Sequence, residues 1–246
     1  PLLRRPAMLV FAADHGVATA GVSAYPAEVT AQMVANIAGG GAAVNVLCRQ
    51  HGIDLSVIDV GVRGRTATPG VLEAADKAGA AVVDPAGAAR LLRCPVAEGT
   101  ADLRHGPAMT AAQCRRAVDI GRARVAATDA DAILLGEMGI GNTSSAALLT
   151  AWATGAGLAG CVGRGTGLDD AGLARKLSIL ELAWQRHQPG DEPMAALAAI
   201  GGLEIAALVG AIIEAARRRR VIVIDGFVVT AALLVAARLA PAVRSE

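Results

Sequence analysis

Glu137 stands where an apolar run meets a glycine-rich turn, in a stretch (residues 134–149) that reads LLGEMGIGNTSSAALL. Gly136, Gly139 and Gly141 let the backbone turn there with its N–H groups exposed. Asn142, Thr143, Ser144 and Ser145 are all good helix N-caps. The helix they open is therefore expected to present free amides and the positive end of its dipole, a setting for a phosphate or a carboxylate. A Walker loop would place lysine before the Ser or Thr, whereas this turn has Asn142, which disfavours ATP hydrolysis by that route. A carboxylate beside an anion cradle is unusual because like charges repel. Glu137 reads as a base or a recognition group.

Three further polar clusters with glycines follow apolar runs: Asp14-His15-Gly16, Gly163-Arg164-Gly165-Thr166-Gly167 and Asp225-Gly226-Phe227. Adjacent Asp14 and His15 on an extended chain point to opposite faces, which argues against a direct acid/base contact. The favoured reading has Asp14 capping a turn and His15 hydrogen-bonded to backbone. Lys176 lies seven residues after Asp169, two turns into a helix, so it either reaches back to a phosphate near that helix's start or faces solvent. Asp225 contacts a ligand or caps a helix, with contact favoured. Tyr25, in the turn before Pro26, and Phe227 could flank a planar ligand; the alternative is that Tyr25 packs on the following helix and Phe227 caps the core. No Ser-His-Asp order, nucleophile elbow or H-E-x-x-H appears. The four cysteines (Cys48, Cys94, Cys114 and Cys161) are scattered without metal spacing, so reduced thiols in a cytoplasmic protein and no metal are expected.

These clusters must be held by something, and the apolar runs supply it. Strands are expected at residues 8–13, 55–60, 80–83, 132–135 and 221–224, with a weaker one near Cys161 and Val162. Alanine- and leucine-rich helical stretches lie between most of them. Continuous apolar strands alternating with helices imply an α/β doubly wound, mostly parallel, Rossmann-like sheet with helices on both faces. In such sheets ligands bind beyond the carboxyl ends of the strands, where the clusters fall. Pro26 starts a first helical turn, Gly39-Gly40-Gly41 ends that helix, another spans 42–50, and Asp169 and Asp170 open one running to Arg186. Residues 203–216 form a core helix despite Glu204 and Glu214. Residues 63–110 form a long excursion with a short strand inside it.

With 246 residues, 54% of them hydrophobic, the chain is expected to fold as a single α/β nucleotide-binding body over residues 1–246. A net charge of +1 gives no pull toward nucleic acid or membrane, and the basic run at residues 217–220 reads as the solvated end of a helix. No uninterrupted apolar stretch reaches the ~18 residues of a membrane span.

Taken together, FAADHGVATAGVSAYPAEVT from Phe11, GGGAAVNVL from Gly39, EGTADLRHGPAMT from Glu98, the Glu137 turn, GRGTGLDD from Gly163 and VIVIDGFVVTAALL from Val221 resemble one family across nearly the whole chain. The resemblance is to nicotinate-nucleotide:dimethylbenzimidazole phosphoribosyltransferases of the cobalamin lower-ligand pathway. It implies transfer of the 5-phosphoribosyl group from nicotinate mononucleotide to 5,6-dimethylbenzimidazole, giving α-ribazole 5'-phosphate and nicotinate, in a homodimer. No cofactor is implied, because the cationic nicotinate ring is already a leaving group. By the same resemblance Gly139, Gly141, Asn142, Gly163, Gly165, Thr166, Gly167 and Lys176 belong to the nucleotide and phosphate site. Glu137 is the strand-end glutamate, and Asp225, Gly226 and Phe227 form a wall of the cleft. Ser23, Tyr25, Gln32 and Met33 fall on the benzimidazole pocket, with either Gln32 or Met33 facing it.

The family pattern also carries a principal base, a glutamate in an Arg-Leu-Gly-Glu-Gly motif that lies beyond Glu246, and an N-terminal helical segment that precedes Pro1. The small helical domain is accordingly expected to be incomplete, and residues 1–246 alone are expected to be strongly impaired in transfer. A catalytically silent nucleotide- or benzimidazole-binding module is the alternative. A generic Rossmann-like nucleotide enzyme is the third reading.

Overall fold

The computed structural model describes residues 3–64 and 89–244. Within them, β1 (Pro6–Ala13), β2 (Asp54–Gly61), β3 (Arg90–Arg93), β4 (Ala132–Met138) and β5 (Val221–Val223) form one sheet ordered β3-β2-β1-β4-β5. Every pairing is parallel. The chain runs outward from β1 through β2 to β3, then returns across β1 to β4 and β5. The connections therefore diverge between β1 and β4, and the crevice at their carboxyl ends is the expected ligand position. Register pairs Phe11 with Glu137 and Ala12 with Met138, which brings the ends of the two strands side by side.

Helices cover both faces, as the unbroken apolar strands require. On one face α1 (Val29–Ala38) and α2 (Ala43–His51) pack with Val10, Ala12 and Val57. On the other, α3 (Ala111–Ala126), α4 (Asn142–Thr154), α6 (Asp170–His187), α7 (Pro193–Ile200), α8 (Leu203–Arg217) and α9 (Phe227–Leu239) enclose Leu9, Phe11 and Ile133. A one-turn α5 (Leu158–Cys161) precedes α6. Residues 29–51 have the length and apolarity of a membrane span only if α1 and α2 are counted as one helix; the break at Gly39–Ala42, where Gly40 has φ 85°, separates them.

The core helix α8 is buried nearly all round, as expected. It crosses α3 at backbone distance. A β-carbon on Gly121 would lie 1.8 Å from the Ala207 carbonyl oxygen, and one on Gly210 would lie 1.9 Å from the Val118 oxygen. This approach fixes where the first turn of α8, carrying Glu204, meets the sheet.

Two expectations change. The weak strand near Cys161 and Val162 is helical turn α5 and the loop after it, because two apolar residues do not distinguish strand from helix. β3 falls at Arg90–Arg93, where two leucines between arginines gave no strand signal. The expected strand at 80–83 lies outside the described residues.

Candidate functional site

β4 continues past the apolar run through Met138, so Glu137 is carried by the strand itself. Its carboxylate is half-buried and accepts a short hydrogen bond from the Asn142 side chain. Burial, followed by the negative charge of Glu204, pushes the Glu137 carboxyl up to about 7; the Asn142 bond and the charge of His15 oppose the rise. A carboxyl poised there can take or give a proton near neutrality.

None of the four expected N-cap side chains caps α4. The cap is Gly141 itself, at φ 94°, without a side-chain bond. Asn142 turns to Glu137. Thr143 Oγ1 accepts from Lys176 Nζ at 2.8 Å. Ser145 Oγ donates to the Gly201 carbonyl at 3.0 Å. Ser144 Oγ is buried without a hydrogen-bond partner among the described residues. Two first-turn amides are also engaged, Asn142 N–H to the Gly139 carbonyl and Ser144 N–H to that of Gly141, so fewer amides remain free than the cap pattern implied.

Lys176 does not face solvent. It is 0% exposed, and Nζ also donates to the Gly163 carbonyl at 3.2 Å. Burial pulls its ammonium down to about 8, still largely charged at neutral pH. Asp169 caps α6 by accepting from Gly172 N–H at 2.7 Å, which aims the helix so that Lys176 projects back to the start of α4. Gly163, Gly165, Thr166 and Gly167 form the exposed rim, with Gly165 and Gly167 at φ 55° and 108°. A β-carbon on Gly165 would stand 3.2 Å from Thr143 Oγ1 and 3.6 Å from Lys176 Nζ. A buried cation, a hydroxyl and a glycine loop thus converge within a few ångströms of the Glu137 turn, an arrangement suited to an anion such as phosphate.

The segment carrying Ser23 and Tyr25 also borders the turn. A β-carbon on Gly141 would meet Ala18 at 3.3 Å, and Thr30 Oγ1, one residue into α1, accepts Ile140 N–H at 3.0 Å. Ser23 Oγ receives Tyr25 N–H at 3.2 Å, and the Tyr25 ring is half exposed. On α1, Gln32 is exposed and Met33 is half-buried against the smaller core, alongside Met138. Asp225, Gly226 and Phe227 sit just past β5, whose last paired residue, Val223, lies beside Leu134. All three are exposed, and Phe227 starts α9. The structure therefore bonds Glu137 to Asn142, and Lys176 to Thr143 and Gly163, around the first turn of α4; it brings Ala18 and Thr30, which flank Ser23 and Tyr25 in sequence, against the same turn, and leaves Asp225–Phe227 at the neighbouring strand end.

A further group lies beneath the turn and was not expected to join the site. His15 Nε2 and Glu204 Oε1 are 2.7 Å apart, both side chains 0% exposed. His15 is thus bonded to side chains rather than to backbone, with Ser145 Oγ 3.3 Å from Nδ1. Asp14 turns the other way and accepts Arg63 N–H at 2.7 Å. The signal available in the sequence was a charge inside an otherwise apolar helix, since a buried carboxylate needs a partner. Among the described residues no group of three or more His, Cys, Asp or Glu could hold a metal ion. The four cysteines are unpaired, and burial pushes the Cys114 thiol up to about 12.

A family model described as "Phosphoribosyltransferase" matches residues 1–246. Among curated relatives, the nicotinate-nucleotide–dimethylbenzimidazole phosphoribosyltransferase of Ralstonia nicotianae is 53% identical over 250 residues, 99% of this chain and 65% of the relative. That of Variovorax paradoxus is 52% identical over 242 residues, 98% of this chain and 64% of the relative. The crystal structure of CobT from Thermus thermophilus matches with a TM-score of 0.86 at 41% identity, over 99% of this chain and 68% of that one. The chain spans about 65% of the length of the curated relatives it matches.

Proposed function

We propose, from the premise that the chain belongs to the phosphoribosyltransferase family, that it moves the 5-phosphoribosyl group from nicotinate mononucleotide to 5,6-dimethylbenzimidazole. The products are α-ribazole 5'-phosphate and nicotinate. The carrying observation is the pairing of a proton-accepting carboxyl, Glu137, with the buried ammonium of Lys176 across the first turn of α4.

The reaction breaks the bond between the ribosyl anomeric carbon and the nicotinate ring nitrogen, whose electron pair neutralises the pyridinium. An azole nitrogen bonds to the same carbon, and the azole N–H proton leaves to a base. Lys176, Thr143 and the 163–167 loop suit the 5'-phosphate, because a fixed cation with hydroxyl and backbone partners recognises that charge. Once ionised, Glu137 serves as an auxiliary acceptor for the azole proton beside the family's principal glutamate, and Asn142 holds its carboxylate in one orientation. Ser23, Tyr25, and Gln32 or Met33 would line the azole side, and Asp225, Gly226 and Phe227 the outer wall. A homodimer in the cytoplasm belongs to the same proposal. The names of the relatives, all transferases, favour this reading over a silent binding module.

The test is nicotinate release from nicotinate mononucleotide with dimethylbenzimidazole, using the product of the complete reading frame and its Glu137→Gln variant. A fall in kcat of up to about 10²-fold is expected for a lost auxiliary proton acceptor. Unchanged turnover would remove Glu137 from the mechanism, and substrate binding without turnover in the unsubstituted protein would support the silent module.

A further inference from the structure

The His15–Glu204 pair is walled by glycines. A β-carbon on Gly202 would lie 2.4 Å from His15 Cε1 and 2.8 Å from Glu204 Oε2. One on Gly139 would lie 2.5 Å from the Ala13 oxygen and 3.4 Å from both His15 Cδ2 and Glu204 Oε1. Gly139 belongs to the turn that joins Glu137 to Asn142, so the pair sits directly under the proposed active site.

Hydrogen-bond accounting fixes the pair's protons. Ser145 has one hydroxyl hydrogen and spends it on the Gly201 carbonyl at 3.0 Å, so toward His15 its oxygen can only accept. His15 Nδ1 must then carry a hydrogen. That leaves Nε2 facing Glu204 Oε1 at 2.7 Å with one proton between them. Two protons would clash there, and none would set a lone pair against a carboxylate. Among the described residues the second oxygen, Glu204 Oε2, is buried with no hydrogen-bond partner, so the proton shared with His15 is what offsets the carboxylate's charge.

We propose that His15 and Glu204 form a positioning pair that shares a single proton beneath the Gly139–Asn142 turn, and that its acidic end sets the charge Glu137 carries before substrate arrives. The inference rests on the transfer reading for its purpose but not for its chemistry. The groups that act electrostatically on His15 are Glu204, Asp14 and Glu137, all acidic. Burial opposes the imidazolium, yet those carboxylates and the Glu204 bond hold His15 above its ordinary value. Asp59 on β2 is occupied by the amides of Gly61 and Val62. Arg63 is held by the carbonyls of Glu98 and Thr100. α3 and α9 present apolar and glycine residues to the core that α8 occupies.

The test uses the product of the complete reading frame in two measurements. Nitrogen-15 spectra of the unsubstituted protein, with His15 assigned through His15→Gln, are expected to show Nδ1 protonated between about pH 5 and 8. An unprotonated Nδ1 overturns the proposal. Glu137, followed by carboxyl carbon-13 shifts without substrate, is expected to titrate near 7, and Glu204→Gln should lower that midpoint, by less than the loss of a lone charge because His15 gives up its proton with it. A folded Glu204→Gln protein with an unmoved midpoint overturns it as well; if that variant fails to fold, the nitrogen-15 result decides alone. Failure of the transfer reading shows separately, as absent nicotinate release in a protein whose Glu137 midpoint still moves.

Discussion

Replacing Glu137 by Gln should make the protein more stable at neutral pH and leave it unchanged in acid. Gln keeps the shape and an acceptor oxygen for Asn142 but cannot ionise. In the folded protein the Glu137 carboxyl holds its proton up to about 7, against 4.5 for the free group. A raised carboxyl pKa means that the folded state binds a proton the unfolded state has released. The penalty is therefore absent below 4.5, grows as pH rises to about 7, and is constant above it. A gap of about 2.5 pH units at 1.36 kcal/mol each gives an upper limit of about 3–4 kcal/mol. Water reaches the half-buried carboxyl, so we expect about 1–2 kcal/mol.

Urea unfolding of both proteins from about pH 4.5 to 8.5 isolates this effect, because other groups titrate in each. Burial raises Asp59, which also penalises the folded state as pH rises but does so in both proteins. Lys176, pulled from 10.5 down to about 8, penalises the folded state below 8 and is relieved only as pH rises toward 10.5. The difference between the two proteins should open between about pH 5 and 7 and then level off. A flat difference, or one that favours the glutamate as pH rises, would refute the claim that burial and Glu204 hold the proton on Glu137.

Lys176→Met should abolish phosphate recognition while costing little stability, since an equally long apolar side chain fits a buried position and the ammonium is already disfavoured there; thermal protection by nicotinate mononucleotide should disappear, with Tm in its absence within a few degrees of the unsubstituted protein. Gly210→Ala should destabilise by about 2–4 kcal/mol, because its β-carbon would stand 1.9 Å from the Val118 oxygen and backbone cannot yield cheaply; chemical denaturation reads this, and a cost under 1 kcal/mol would mean that α3 and α8 can separate.

The sheet was legible because burial on both faces writes itself as uninterrupted apolar runs, and β1, β2 and β4 fall on those runs within three residues at either end. Lys176 was legible as one of two alternatives, since helical periodicity gives its reach but not its neighbours. The functions of the α4 first turn were not legible. Local preference marks residues 142–145 as caps, but Glu137, Lys176 and His15 are tertiary partners that outcompete the local amides for the same side chains. Glu204 was hidden for a related reason. An acid in the first turn of a helix is ordinary on dipole grounds, and its partner lies 189 residues away.

That turn also explains why the site tolerates a carboxylate beside an anion cradle. Successive helical residues point about 100° apart, so Asn142, Thr143 and Ser145 leave α4 in three directions. Asn142 reaches Glu137 on β4, Thr143 reaches Lys176 on α6, and Ser145 reaches the His15–Glu204 pair between β1 and α8. A single turn thereby separates a proton-holding side from a cationic side, and seals the compensating charges beneath both. Glu137 need not repel a phosphate while it keeps its proton, and it becomes a base only as that proton is lost near neutrality. Slipping the register of α4 by one residue would rotate all three contacts off their partners together, so the cradle and the acid are one device set by one helix start.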